Sequence, residues 1–221
     1  MDKLVLSWSG GKDSAFALYK LQQGKTFEVA GLLTTITKDY DRVSMHGVRT
    51  RLVEQQAEAI GLPLIKVFIP AKCTNDIYAA VMTEEMNRLK AQNIVTMAFG
   101  DIFLQDVREY REKNLAQVGM KGIFPLWGLD SKKLAREFVD LGFKSVVSCI
   151  DTRKIDAKFL GRVIDHAFLD DLPANVDPCA ENGEFHSFAF DGPIFSREIR
   201  YTLGEIVPRD DFRFIDLVPA R

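Results

Sequence analysis

Leu4-Val5-Leu6-Ser7-Trp8-Ser9-Gly10-Gly11-Lys12-Asp13-Ser14 joins a short apolar run to an amphipathic stretch through two adjacent glycines, and its reading decides the fold. A strand that turns tightly into a helix aims backbone N–H groups and the positive end of the helix dipole at one point, which makes a cradle for an anion. The plainer alternative is a β-to-α turn with Asp13 or Ser14 capping the helix. Two glycines, a lysine and flanking hydroxyls together favour the cradle. A Walker A loop would need glycine at position 6 and Ser or Thr at position 13, where this chain has Leu6 and Asp13, and the dinucleotide pattern G-x-G-x-x-G is absent as well. As a turn residue, Lys12 is expected to be exposed and to contribute little to packing.

Working outward, short apolar runs alternate with amphipathic segments, the signature of a parallel sheet with flanking crossover helices. Leu4–Leu6, Val29–Leu33, Leu64–Phe68, Ile94–Phe99 and Ser145–Ser148 read as strands; Ser14–Gln23, Arg49–Ile60, Asn75–Gln92, Asp106–Val118 and Ser131–Leu141 read as helices. Gly24, Gly61, Gly119 and Gly142 each stand just past a helical pattern, where a left-handed residue ends it. After about Ile155 the texture changes. The turn-rich Leu172–Pro178 leads into β-like runs at Phe185–Phe190 and Ile199–Leu203. These observations predict an α/β unit over residues 1–130 and a smaller C-terminal α+β unit over 131–221, with Ser131–Cys149 compatible with either.

The 221 residues, 47% hydrophobic and 27% charged, can bury a full core. Lys and Arg number 29 against 31 Asp and Glu, so the molecule offers no overall cationic footprint for nucleic acid. No apolar run is long enough to cross a bilayer, no secretory signal opens the chain, and a cytoplasmic location is expected. Cys73, Cys149 and Cys179 form no C-x-x-C pair and read as reduced small residues.

Three further constellations carry polar groups. Gly100-Asp101 follows the fourth apolar run, which brings a carboxylate to the sheet edge that bears the glycine turn. Ser44-Met45-His46-Gly47-Val48-Arg49 follows the second run; His46 and Arg49 are candidates for phosphate or substrate contact, and a solvated loop is the alternative. Asp177-Pro178-Cys179-Ala180-Glu181-Asn182-Gly183-Glu184-Phe185-His186-Ser187 places two glutamates and a histidine in a turn, suited to a polar or cationic ligand or to a hairpin loop.

The string Ser9–Ser14, SGGKDS, resembles the PP-loop of the N-type ATP pyrophosphatases, whose fold is the adenine-nucleotide α-hydrolase-like parallel sheet with flanking helices. The resemblance implies that Ser9, Gly10, Gly11, Lys12 and Ser14 hold the β- and γ-phosphates of ATP, that Asp13 helps place Mg²⁺, and that pyrophosphate leaves as an adenylate forms. In this fold class adenine lies beside the ends of the first two strands, here Leu33, Thr34 and Thr35. Gly-Asp-Ile at 100–102, Tyr110-Arg111 and Pro125-Leu126-Trp127 extend the likeness to the diphthine-ammonia ligase group, with Asp101 near metal or substrate. There the late motif reads E-G-G-E-[FY]-E-[ST] and lines the substrate side of the cleft. Glu181, Glu184, Phe185 and Ser187 are in register, whereas Asn182 replaces glycine, Gly183 is kept and His186 replaces glutamate. Exchanging a carboxylate for an imidazole alters the local charge and weakens the case for diphthine, which bears a quaternary ammonium.

Together these readings predict an AMP-forming ligase that activates a small-molecule or protein-borne carboxylate and passes it to ammonia or an amine. The cofactors are ATP and Mg²⁺, and Lys12, Asp13 and Asp101 form the catalytic set. With histidines only at 46, 166 and 186 and no glutaminase-like block, ammonia comes free or from a partner. The rivals are a tRNA-thiolating PP-loop enzyme, which wants paired reactive cysteines and a basic surface, and a non-catalytic adenine-nucleotide sensor.

Overall fold

The computed structural model describes residues 1–220. Six strands make the first sheet: β1 (Asp2–Ser7), β2 (Phe27–Thr37), β3 (Arg42–Val43), β4 (Leu64–Ile69), β5 (Thr96–Ala98) and β6 (Lys121–Ile123). β2 pairs in parallel with β1 along Phe27–Leu33 and with β4 along Leu32–Thr37, so the two lie on opposite edges of it. The two-residue β3 runs antiparallel to Ile36 and Thr37, where β1 has already ended. The parallel order is therefore β4-β2-β1-β5-β6. The chain winds outward from β1 through β2 to β4, then crosses back to place β5 on the other side of β1. Direction reverses between β1 and β5, and in open α/β sheets the crevice outside such a reversal is where ligands bind.

The crossovers are α1 (Lys12–Gly24), α2 (Thr50–Ile60), α3 (Asn75–Ala91) and α4 (Gln105–Gln117), followed by α5 (Ser131–Asp140) and the short α6 (His166–Asp171). Gly61, Gly119 and Gly142 take the expected left-handed conformation, with φ of 79°, 69° and 83°. The first helix departs from expectation: Gly24 is its last residue and Lys25, at φ 51°, is the left-handed one.

A second sheet, wholly antiparallel, is built from β7 (Lys144–Asp151), β8 (Phe185–Asp191), β9 (Tyr201–Arg209) and β10 (Phe212–Pro219) in the order β8-β7-β10-β9. The Ser145–Ser148 run, expected in series with the parallel strands, lies in this sheet. Its residues are buried on both faces, and a strand covered on both sides is apolar throughout whichever way its neighbours run.

The two sheets share their cores. One apolar cluster contains Leu4 and Leu6 of β1, Phe16 and Leu18 of α1, Phe138 of α5 and Ala189 of β8. Another joins Leu52 and Val53 of α2 to Val146, Phe188 and Leu217 of the second sheet. Between them, β8 lies on the glycine turn. The Ala189 amide donates to the Gly10 carbonyl (2.8 Å), and the Lys12 amide donates to Ser187 Oγ (3.2 Å). Gln56, fully buried on the inner face of α2, fastens the junction. Its Nε2 donates to the Gly10 (2.9 Å) and Ala189 (2.6 Å) carbonyls, and its Oε1 accepts from Trp8 Nε1 (2.9 Å). A Cβ on Gly10 would stand 2.8 Å from Gln56 Oε1, and one on Gly11 2.9 Å from the Ser187 carbonyl oxygen, so this close docking requires both glycines.

No helix of the described residues is long and apolar enough to cross a membrane. The Gln56 junction gives a direct test. Gln56→Leu keeps much of the volume but strands the Trp8 donor and two carbonyls, and should cost about 2–4 kcal/mol. Urea unfolding checks this; a loss below about 1 kcal/mol would mean that the junction relaxes without it.

Candidate active site

The glycine turn projects from the C-terminal end of β1 at the sheet's reversal point. Helix α1 begins at Lys12 with Gly11 as its cap and no side-chain cap, so neither Asp13 nor Ser14 takes that role. The first amides of a helix have no acceptor within it. Here Gly11 N donates to Ser9 Oγ and Lys12 N to Ser187 Oγ, both at 3.2 Å, long contacts to neutral hydroxyls. An anionic oxygen is a stronger acceptor at the same place. Ser9 and Ser14 bring their hydroxyls within 3.2 Å of each other, and Ser14 Oγ also donates to the Gly11 carbonyl (2.9 Å). Gly100, just past β5, lies against the Asp13 backbone; a Cβ there would be 3.0 Å from its carbonyl carbon.

Lys12 corrects the expectation of an exposed turn residue, since it is 4% exposed. Its Nζ donates to both Asp13 carboxylate oxygens (2.9 Å each) and to the Cys179 carbonyl, with the Phe185 ring 5.6 Å away. Burial by itself lowers an ammonium's pKa; Asp13 leads the negative groups that reverse this and hold Lys12 above the ordinary lysine value.

Beside the turn opens a cavity of about 290 Å³ walled by the ends of β1, β2 and β5 and by α3 and α4. Ser9, Leu33, Thr34, Thr35 and His46 all line it. Thr34 Oγ1 is buried there without a hydrogen-bond partner, a polar atom awaiting one. Tyr78, Met82, Tyr110 and Arg111 complete the wall from α3 and α4. Sequence reasoning did not assign those residues to the cavity, because residues on two different helices, about thirty positions apart, share no local pattern.

Asp101 is at the expected sheet edge, ion-paired to Arg111 (Nε to Oδ2, 2.7 Å; Nη2 to Oδ1, 3.1 Å). It does not cap α4, whose cap is Leu104. Arg49 does not line the cavity beside the glycine turn, and its guanidinium is bonded to both oxygens of Asp216 on β10 (3.0 and 2.6 Å). Arg42 joins the same carboxylate at 2.9 Å, and these bonds hold the Asp216 acid down at about 2.

The late motif forms a turn under the cradle. Glu181 Oε1 accepts from the Ile102 (2.7 Å) and Phe103 (3.2 Å) amides, bracing the loop after β5. Burial pushes its acid up against those bonds, and the charges of Asp13 and Asp101 add to the rise. Glu184, 3% exposed, accepts at Oε1 from the Asp177 amide (3.0 Å) and Asn182 Nδ2 (3.2 Å), while its Oε2 is buried and unpartnered. The Asn182 carbonyl accepts from Lys154 Nζ (2.6 Å), and Gly183 turns the chain at φ 78°. None of these four lines the nucleotide-sized cavity. His186 points the other way along β8, its ring centroid 4.5 Å from that of His46. Burial drives both imidazoles towards the neutral form, His46 well below the ordinary histidine value and His186 down to about 4, with Lys12 adding to each.

Comparisons agree with this architecture. Residues 1–122 match the family model "Diphthamide synthase N-terminal domain" and residues 130–216 match "Diphthamide synthase C-terminal domain". A diphthine–ammonia ligase of Schizosaccharomyces pombe is 27% identical over 90% of this chain, which spans 36% of that longer protein. The diphthine–ammonia ligase of Homo sapiens is 23% identical over 90% of this chain and 82% of its own length. Among solved structures, the U34-tRNA thiolase NcsA from Methanococcus maripaludis with its [4Fe-4S] cluster aligns over 63% of this chain and 57% of its own. At 19% identity and a TM-score of 0.38, that likeness is too loose to carry an argument. With the N-terminal model matching the parallel sheet and its glycine turn, and the C-terminal model matching the antiparallel sheet that packs on it, the chain belongs to the diphthamide synthase family of ligases.

Proposed function

We propose that this ATP-dependent ligase adenylates a substrate carboxylate, releasing pyrophosphate, and passes the acyl group to ammonia or an amine. The observation that carries the reading is the glycine turn at the mouth of a cavity walled by Leu33, Thr34 and Thr35: a phosphate cradle next to a space for a nucleoside. In this reading the unit over residues 1–130 binds ATP, and 131–221 supplies the wall behind the loop and the acceptor side. The adenosine lies against Thr34, whose lone hydroxyl gains a partner, and the triphosphate tail lies on Ser9–Ser14.

A carboxylate oxygen of the acceptor attacks the α-phosphorus. The bond from that phosphorus to the bridging oxygen breaks, and its electron pair leaves with pyrophosphate. Lys12 and the helix amides stabilise the charge that builds on that oxygen. The amine nitrogen then attacks the acyl carbon, AMP departs with the electrons of the acyl–oxygen bond, and a proton passes to water. The protein's main tasks are positioning and charge stabilisation, so no nucleophilic side chain is needed.

Mg²⁺ fits this site only together with the phosphates. Among the described residues no group of three His, Cys, Asp or Glu could hold a metal ion. Asp13, its side chain 34% exposed, is the carboxylate at the cradle, and phosphate oxygens and water would make up the remaining ligands. When bound, the ion supplies neutralisation of phosphate charge.

Thiolation of tRNA is the weaker reading because the thiols are unsuited to attack. Burial pushes Cys149 up to about 12 and raises Cys179 too, which keeps both protonated. The protonated Lys12 beside Asp13 favours a catalyst over a sensor. Free thiols at all three cysteines suit a reducing, cytoplasmic setting. Diphthine, named in the relatives, fits less well, since a neutral His186 stands where the motif that this chain resembles has a glutamate.

Fractions of a cell extract should contain an acid that elicits AMP and pyrophosphate in equal amounts. Oxygen-18 in its carboxylate should appear in the AMP; ADP with orthophosphate would refute the reading. Lys12→Gln, whose amide can still reach the Cys179 carbonyl, should cut that release by about a hundredfold or more while the protein still melts cooperatively. Calorimetric titration of Mg²⁺ into the free protein should show no binding, with binding appearing once ATP is present; a tight site without nucleotide would displace Asp13 from its assigned role.

A further inference from the structure

A second cavity, of about 410 Å³, opens between the β2–β3 connection and the β9–β10 hairpin. It adjoins the first, because Val43, Ser44 and Met45 line both. His46 faces the nucleotide side and His186 the other, and their rings pack against each other as part of the partition. With both imidazoles neutral, that partition is polar and uncharged. A molecule seated in the second cavity thus lies across a partition two rings thick from the cavity beside the glycine turn.

The charges at this cavity can be counted. Asp216 is taken by Arg42 and Arg49, and Arg42 also donates to the Gly47 carbonyl (2.8 Å), so that group is satisfied within itself. Asp210 is exposed at the hairpin tip, on the rim. Arg209 differs from the other two arginines. Among the described residues it has no carboxylate partner, and its guanidinium lies over the Tyr40 ring at 4.6 Å and near that of Phe214 at 5.8 Å. Arg209 is solvent-exposed; its place over the Tyr40 ring leaves the guanidinium N–H edges available, the arrangement in which arginine holds a carboxylate or phosphate through two parallel bonds. Phe212 and Phe214 supply apolar wall for a stem.

The same placement says what does not fit. A quaternary ammonium binds over aromatic faces, and here the Tyr40 and Phe214 faces already carry a cation. An incoming ammonium would have to displace Arg209 or lie beside it at like charge.

We propose that this second cavity receives the acceptor, and that the acceptor carries a second anionic group, distinct from the carboxylate that reacts, held by Arg209. The substrate class is an organic diacid, or a carboxylic acid bearing a phosphate, with an apolar stem between its two acidic ends. This rests on the adenylation reading for the identity of the reacting carboxylate but not for the binding itself.

The test measures binding without ATP. Calorimetric titrations would use straight-chain dicarboxylic acids of graded length, monocarboxylic acids of matched length, phosphorylated hydroxy acids, and trimethylammonio acids as the cationic contrast. At least one diacid or phospho-acid should bind at least tenfold more tightly than its matched monoacid. Arg209→Gln should erase that preference and Arg209→Lys should restore part of it, with melting curves reporting folding. The proposal is overturned if no diacid or phospho-acid binds in preference to its monoacid, if trimethylammonio acids bind as well as diacids, or if Arg209→Gln leaves the preference intact. Pyrophosphate release is scored separately with the acids that bind. An Arg209-dependent preference without release would sink the adenylation reading and leave the cavity assignment standing; release by monoacids and trimethylammonio acids, untouched by Arg209→Gln, would do the reverse.

Discussion

The structure depends on one close approach, a strand of the second sheet lying directly on the glycine turn of the first. The Ala189–Gly10 hydrogen bond, the Gln56 amide spanning both carbonyls and the Lys12–Ser187 contact leave no room for a side chain at positions 10 or 11. The glycines thus answer two demands at once. They leave the open side of the turn free of side chains, where the proposed phosphates would lie, and they let β8 pack on the other.

From this follows how the late motif is used. Its two glutamates sit in register with a family pattern expected to face substrate, yet both accept hydrogen bonds from the protein: Glu181 from the loop after β5, Glu184 from its own turn. They shape the floor beneath Lys12, whose ammonium reaches the Cys179 carbonyl in that same turn. The residue of the motif that does face a cavity is His186, where the sequence departs from the family. The glutamates that match the pattern are spent on scaffold, as is Asn182, which departs from it; His186, which also departs, lines the second cavity.

Much of the parallel sheet was legible, because β1, β2 and β4 alternate with amphipathic helices and the glycine turn fixes where the chain enters the first of them. What stayed hidden has physical reasons. β3 and β6, two and three residues long, are shorter than any period that could announce them. β7 is buried on both faces, with Val146 and Val147 side by side between serines, so its pattern matches a parallel strand. β9 is exposed at eight of nine positions, leaving no alternation to read, and its partner β10 is mostly half-buried. At the site, the place of the glycine turn follows from chain connectivity, whereas Leu33–Thr35 are named from the resemblance and line the cavity beside that turn. Arg49 could not be placed from the sequence because its partner, Asp216, is far along the chain, and separation along the chain likewise hid Gln56, a polar residue on the apolar face of α2 whose partners come from two separate segments, the glycine turn and β8.

The Gly10–Gln56–Ala189 junction also ties two equilibria together. The Gly10 carbonyl that holds the loop also docks the second sheet, and the Lys12 amide that would face an anion meets Ser187 of that sheet. By linkage, whatever factor an anion on the loop lends to or takes from the docking, a change in the docking lends to or takes from the anion's hold. Occupancy of the loop and cohesion of the two halves are then reciprocal, readable from either end.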